Sequence, residues 1–249
     1  MINNLKKKDI ERYSRQIILK DIGIIGQKKI FSSKVLIIGI GGLGCPVADH
    51  LSRSGVGTIG IVDFDKVSLS NIHRQSLYNS SDIGKHKVDV LYKNLKKINP
   101  RIKINKYKLK ASQKNIKKII DKYDLIIDGS DNFKTKFLLN EISIKFKKIF
   151  ISAAISKFDG HVFTFNFKKK DPCLKCFYQS IPSDEILNCE AEGILGPIAG
   201  VVGSIQANEV LKNIISLNKS LRSSILIANL KKLEFRKIKF TKKKGCLCN

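Results

Sequence analysis

With 249 residues and 43% hydrophobic composition, the chain has enough apolar material for a sizeable core, and it lacks any run long and apolar enough to span a bilayer. Its formal net charge of +26 comes from 47 basic against 21 acidic residues, but the lysines are scattered, as in Lys117-Lys118, Lys147-Lys148 and Lys168-Lys169-Lys170. That pattern describes a solvated surface rather than a nucleic-acid site, and the stretch after Lys6-Lys7-Lys8 is too polar for a secretory signal, so a cytoplasmic protein with no membrane and no specific nucleic-acid partner is expected.

Residues 1–34 are expected to form an N-terminal helical segment ahead of the first strand, Val35-Leu-Ile-Ile-Gly39. A glycine turn and a helix over Pro46 to Ser54 follow, then a strand at Thr58–Val62 that ends in Asp63-Phe-Asp65. Helical spacing covers Lys87 to Ile98 and stops before Pro100; Ile102 to Lys106 alternates as a strand. Tyr123–Asp128 predicts a fourth strand, Lys134–Phe146 a helix and Ile149–Ser152 a fifth strand. Strands alternating with helices imply an α/β, Rossmann-like, doubly wound and mainly parallel sheet.

From Gly160 the pattern changes. His161–Phe167 alternates as a strand with one exposed face, and the polar stretch Gln179 to Glu192 predicts a mobile loop. Pro197 opens a long helix to about Leu217, and Ser224–Ala228 and Leu233–Phe240 read as antiparallel C-terminal strands. One domain over 1–249 is expected, with 35–159 as the nucleotide-binding core and 160–249 as an elaboration.

Four cysteines lie in two close pairs, Cys173-Leu-Lys-Cys176 and Cys246-Leu-Cys248. Four thiolates brought together by folding suit a closed tetrahedral zinc site that would anchor the C-terminus; disulfides are the alternative. The one-residue spacer in the second pair leaves little room for backbone N–H groups to turn toward the sulfurs, so a strained closure is expected. Cys45, just inside the glycine turn, reads as a small buried residue.

Glycines at positions 39, 41, 42 and 44 follow a strand and open a helix, the arrangement that lets a phosphate approach helix-terminal N–H groups. Asp63, at the end of the next strand, is placed to hold ribose hydroxyls. These two features alone leave open a nicotinamide-dependent oxidoreductase, or glycines present only for packing. The continuation through Asn71, Arg74 and Lys87 fits a dehydrogenase poorly, because these groups neutralise the charge of a triphosphate.

With those residues the chain resembles the ThiF/MoeB/HesA family, the bacterial adenylating relatives of ubiquitin-activating enzymes, from Glu11 to the last cysteine. The resemblance rests on Arg12-Tyr-Ser-Arg15-Gln16, the glycine turn, Asp63-Phe-Asp65, Ser70-Asn71-Ile-His-Arg74-Gln75, Gly84-Lys-His-Lys87, Ser130-Asp131-Asn132 and the cysteine pairs. It implies ATP, Mg2+ and Zn2+, and adenylation of the C-terminal glycine of a ubiquitin-like sulfur-carrier protein. By position it implies Gly41 on the phosphates, Asp63 on the ribose, Asn71, Arg74 and Lys87 on the phosphates, and Asp131 on magnesium, unless Asp131 only caps the helix that follows. Arg15 would reach into the other subunit of a homodimer. Cys189, in the polar loop, would take part in sulfur transfer from a persulfide donor protein. Asn188-Cys189 with Gly196-Pro197 leans toward the ThiF branch and a ThiS-type carrier of thiamine thiazole synthesis; a MoaD-type carrier of molybdopterin synthesis is the alternative.

Overall fold

The computed structural model describes residues 5–169, 171–178, 180–182, 193–217 and 220–248. Its N-terminal segment is helical: α1 (Lys7–Arg12), α2 (Ser14–Ile17) and α3 (Gly23–Ser32). Strand β1 (Lys34–Ile38) is apolar and buried from Val35 onward, as a strand covered on both faces must be. It is followed by α4 (Gly44–Ser54), which stops where Gly55 takes the left-handed φ of 84° that ends a helix without penalty. Next come β2 (Thr58–Asp63), α5 (Lys87–Ile98), β3 (Lys103–Lys108), α6 (Gln113–Ile119), β4 (Leu125–Asp128), α7 (Phe133–Lys145) and β5 (Ile149–Ser156). The chain continues through β6 (Asp159–Asn166), the single turn α8 (Leu174–Phe177), the long α9 (Gly196–Ile214), β7 (Ser224–Asn229) and β8 (Glu234–Lys239).

The eight strands among the described residues join one sheet in the order β3-β2-β1-β4-β5-β6-β7-β8. Strands β1 to β5 are parallel, and β5 to β8 pair antiparallel. The chain starts at β1, winds outward to β3, then crosses back to β4. The order therefore reverses between β1 and β4, the crevice where doubly wound sheets bind ligands. One face is covered by α4, α5 and α9, through Val47, Leu51, Leu91, Ala207 and Val210. The other is covered by α6 and α7, through Ile116, Phe137, Leu139 and Ile142.

Two expectations change. The strand at His161–Phe167 has no solvent face: Val162, Phe163, Thr164 and Phe165 are all buried. Helix α9 covers one side, where Thr164 donates to Glu209 at 3.0 Å, and a stack of Phe150, Phe163, Phe165 and Phe167 fills the other. Helix α6 also has no counterpart in the sequence reading. Ser112 caps it by accepting from the Asn115 N–H at 3.3 Å, and only Ile116 and Ile119 are buried among its lysines, too few to show a period. The loop expected over Gln179 to Glu192 lies largely outside the described residues. Among those described, no helix is long and apolar enough to cross a membrane.

Candidate active site at the strand switch point

A cleft of about 740 Å³ opens at the carboxyl ends of β1, β2 and β4. Its floor is the glycine turn. Gly39 has a φ of 81°, and a side chain there would meet the Gly129 carbonyl at 2.8 Å; one at Gly44 would lie 2.1 Å from the Gly39 oxygen. Only glycine lets β1 turn this sharply into α4. Gly39, Gly41 and Gly42 line the cleft, while Gly44 is buried beneath it as the first residue of α4.

Asp63 stands at the end of β2 with each carboxylate oxygen holding one backbone donor: Ile40 N–H to Oδ2 at 3.0 Å and Asp65 N–H to Oδ1 at 2.8 Å. Burial pushes its carboxyl above the usual range, and the nearby Lys87 and the two N–H bonds oppose that. Lys87, the first residue of α5, is buried and reaches Asp65 Oδ2 at 3.2 Å. Arg74 lies over Gly42 and donates to the Ser70 carbonyl at 2.7 Å. These cationic groups and the turn line the same cleft.

The loop after β4, Gly129 to Asn132, lines the cleft as well. Asp128 is fully buried, with Ser130 N–H and the Ser130 and Ser152 hydroxyls donating to it at 3.0, 2.5 and 2.6 Å. Lys136 is buried too, and its ammonium donates to Asp128 Oδ2 at 3.0 Å, the Ser130 carbonyl at 2.7 Å and the Ala153 carbonyl at 2.6 Å. This ion pair, which sequence reasoning missed, holds the turn before Asp131 through the Ser130 carbonyl, and Asp131 lines the cleft. Asp131 is exposed and does not cap α7. That role belongs to Asn132, whose Oδ1 accepts from the Thr135 N–H at 2.8 Å, so the Asp131 carboxylate is not spent on the helix.

Not every expected residue reaches the cleft. Asn71 accepts from the Ser68 N–H at 3.4 Å in its own short helical turn and does not line it. Arg15 is exposed on α2, outside this chain's cleft. Cys189 falls outside the described residues. Gln75, quoted above only as part of a motif, is buried against Gly41 and lines the cleft. Cys45 is fully buried, and burial pushes its thiol up to about 12.

Cys173, Cys176, Cys246 and Cys248 converge as expected, with all sulfurs within 4.8 Å of one another. Cys173–Cys246 is 3.5 Å, Cys176–Cys248 3.4 Å and Cys173–Cys176 4.0 Å. A disulfide bond of about 2.05 Å is not formed at these separations, whereas Zn–S bonds of about 2.3 Å give tetrahedral edges of about 3.8 Å. The one-residue spacer does not prevent convergence: the Lys243 N–H turns to Cys176 Sγ at 3.3 Å from outside the short pair. The four sulfurs could hold a metal.

A model of the ThiF family matches residues 13–249. The chain is 40% identical over 248 residues to the adenylyltransferase and sulfurtransferase MOCS3 of Dictyostelium discoideum, covering 98% of this chain and 58% of that protein. It is 38% identical to the Aedes aegypti protein of the same name, covering 98% and 56%. The chain thus spans somewhat more than half the length of these curated relatives. Among solved structures, Escherichia coli MccB in a crystal with MccA-N7isoASN aligns at a TM-score of 0.85 and 21% identity, over 99% of this chain and 83% of that one. This last likeness concerns the fold.

Proposed function

Because the chain belongs to the ThiF family, we propose that it uses ATP to adenylate the C-terminal glycine of a ubiquitin-like sulfur-carrier protein of the MoaD type. The observation that carries the reading is the cleft itself: the strand switch point gathers a phosphate-cradling turn, Arg74, Lys87 and Asp131 around one space. The relatives' MOCS3 name favours the MoaD-type carrier over the ThiS type. The lean toward ThiS rested on a few residues, two of which, Asn188 and Cys189, lie outside the described chain.

In this reaction the carrier's carboxylate attacks the α-phosphorus, the bond to the β-phosphate oxygen breaks, and pyrophosphate leaves. The nucleophile is already ionised, so no general base is needed and the protein's work is positioning and neutralising charge. The Gly41–Gly42 turn admits the phosphates at close range, and Arg74 and Lys87 face their charge. Each Asp63 oxygen, having one backbone donor, keeps acceptor capacity for a ribose hydroxyl. Asp131 would hold magnesium, which supplies positive charge for the developing pyrophosphate. Asn71 would need to leave its local turn to contact a phosphate.

Residues 160–249 would bind the carrier, and the cysteine cluster would hold a structural zinc tying the C-terminal residues to the segment after β6. Purified protein is expected to contain one zinc per chain by elemental analysis; a content well below that contradicts the assignment. Arg15 fits a role in the cleft of a second copy, in a homodimer with composite sites. Cys189 would act in sulfur transfer from a persulfide donor protein.

The test is ATP–pyrophosphate exchange with separate carriers. Exchange is expected with a MoaD-type carrier and not with a ThiS-type one; the reverse pattern returns the thiamine assignment.

A further inference from the structure

The positive charge is not evenly placed in the fold. Residues 93–122 hold 12 basic residues against one acidic residue, Asp121, and so carry +11 of the chain's +26. They make up the end of α5, all of β3 and all of α6. Strand β3 closes one end of the sheet and pairs with β2 alone. The Lys103 N–H donates to the Gly57 carbonyl at 2.9 Å, so alternation along the strand directs the peptide groups of Ile104 and Lys106 outward, as an unpaired edge. A groove of about 600 Å³ lies along this strand, lined by Lys103 to Tyr107, by Tyr92 of α5 and by Lys122.

Lysines on an edge strand keep it from pairing with strands at large. Here Lys103, Lys106 and Lys122 are exposed around the groove, and the β3 of a second copy would set lysine against lysine. A strand that carries carboxylates is attracted by the same charges. Nucleic acid matches the edge less well. Lys106 lies over the Tyr92 ring at 5.0 Å, Asn105 Nδ2 donates to Tyr123 Oη at 2.9 Å, and the Tyr107 and Tyr123 hydroxyls share a hydrogen bond of 3.0 Å. The groups that would stack on bases or read them are therefore engaged within the protein. An outward row of N–H and C=O groups is instead what another peptide chain pairs with.

We propose that the β3 edge binds an acidic peptide segment of a partner protein, which adds to the sheet as a further strand and sets its carboxylates against Lys103, Lys106 and Lys122. Backbone pairing supplies the geometry and the lysines select the partner by charge. The surface lies outside the strand switch-point cleft, and its assignment does not depend on the nucleotide reading of that cleft.

The experiment titrates the full chain, at about 0.15 M salt, with a fluorescent peptide of about eight alternating glutamate and valine residues. Binding is expected for this peptide and not for its lysine–valine counterpart. Amide hydrogen exchange at Ile104 and Lys106 should slow when the peptide is bound, because their N–H groups gain partners. The double variant Lys103→Glu/Lys122→Glu should weaken binding about 10- to 30-fold. Neither side chain makes a hydrogen bond or ion pair among the described residues, so the reversal should leave folding intact. Lys232→Glu/Lys239→Glu, beside and on β8 at the far end of the sheet, changes the net charge equally and should keep the affinity. Equal losses in the two double variants would mean that overall charge alone is at work, and would overturn the proposal. So would an absence of binding, unchanged exchange at Ile104 and Lys106, or equally tight binding of the same peptide methylated at every backbone nitrogen. Tighter binding of an oligodeoxythymidylate than of the peptide would assign the edge to nucleic acid instead. The exchange and methylation comparisons use the wild-type chain, so they decide even if a variant fails to fold.

Discussion

Asp131→Ala is expected to reduce ATP–pyrophosphate exchange by about 10²- to 10³-fold, the scale on which a single charge-stabilising group acts in a closed site. The effect should fall on turnover and leave folding intact. Asp131 is exposed, does not cap α7, and among the described residues its carboxylate accepts from Asn132 Nδ2 at 3.3 Å. Removing such a carboxylate should change stability by no more than about 0.5 kcal/mol. Raising the magnesium concentration should recover part of the activity if the loss is one of metal affinity. Near-normal exchange in the variant would remove Asp131 from the chemistry.

Lys136→Met should do the opposite, unfolding the site before it alters the chemistry. Lys136 and Asp128 have side chains 3% and 0% exposed, so deleting the ammonium strands a carboxylate in the core beside the Ser130 and Ala153 carbonyls. Breaking a buried pair from one side costs about 3–5 kcal/mol, readable as a lower midpoint in urea denaturation. Combining it with Asp128→Asn removes the stranded charge and should recover much of the loss, because the two residues are directly coupled. A cost below about 1 kcal/mol for Lys136→Met would show that water reaches the pair and that it does not fix the Asp131 turn.

The contrast between these residues explains what the sequence revealed. Asp131 is legible because it follows an apolar strand, precedes a helix and stands within a recognisable motif. Lys136 is not, since in a chain with 47 basic residues a lysine reads as surface by default. The available signal was Asp128, an acidic residue closing the apolar run Leu125–Asp128, which needs a partner if the strand is buried. Gln75, buried in the cleft lining, was similarly hidden, because a glutamine in a loop has no periodicity to mark it.

The fold followed the same division. Helix α5 spans Lys87–Ile98 as its spacing predicts, and β1 and β2 lie within a residue of expectation, because local pattern and tertiary burial agree there. Strand β6 was read with an exposed face because alternation alone cannot reveal that α9 arrives to cover it. The cysteine pairs were legible as pairs. Their meeting depends on β6 to β8 returning the chain to Cys173 after 73 residues, and the local spacer was a poor guide to that.

The most direct test of the account is ATP–pyrophosphate exchange by the purified chain with a MoaD-type carrier, run in parallel with the same carrier lacking its terminal glycine. Carboxylate adenylation predicts exchange with the intact carrier and none with the truncated one. Exchange that persists without the glycine, or that is absent with the intact carrier while the protein is folded and binds ATP, would contradict it.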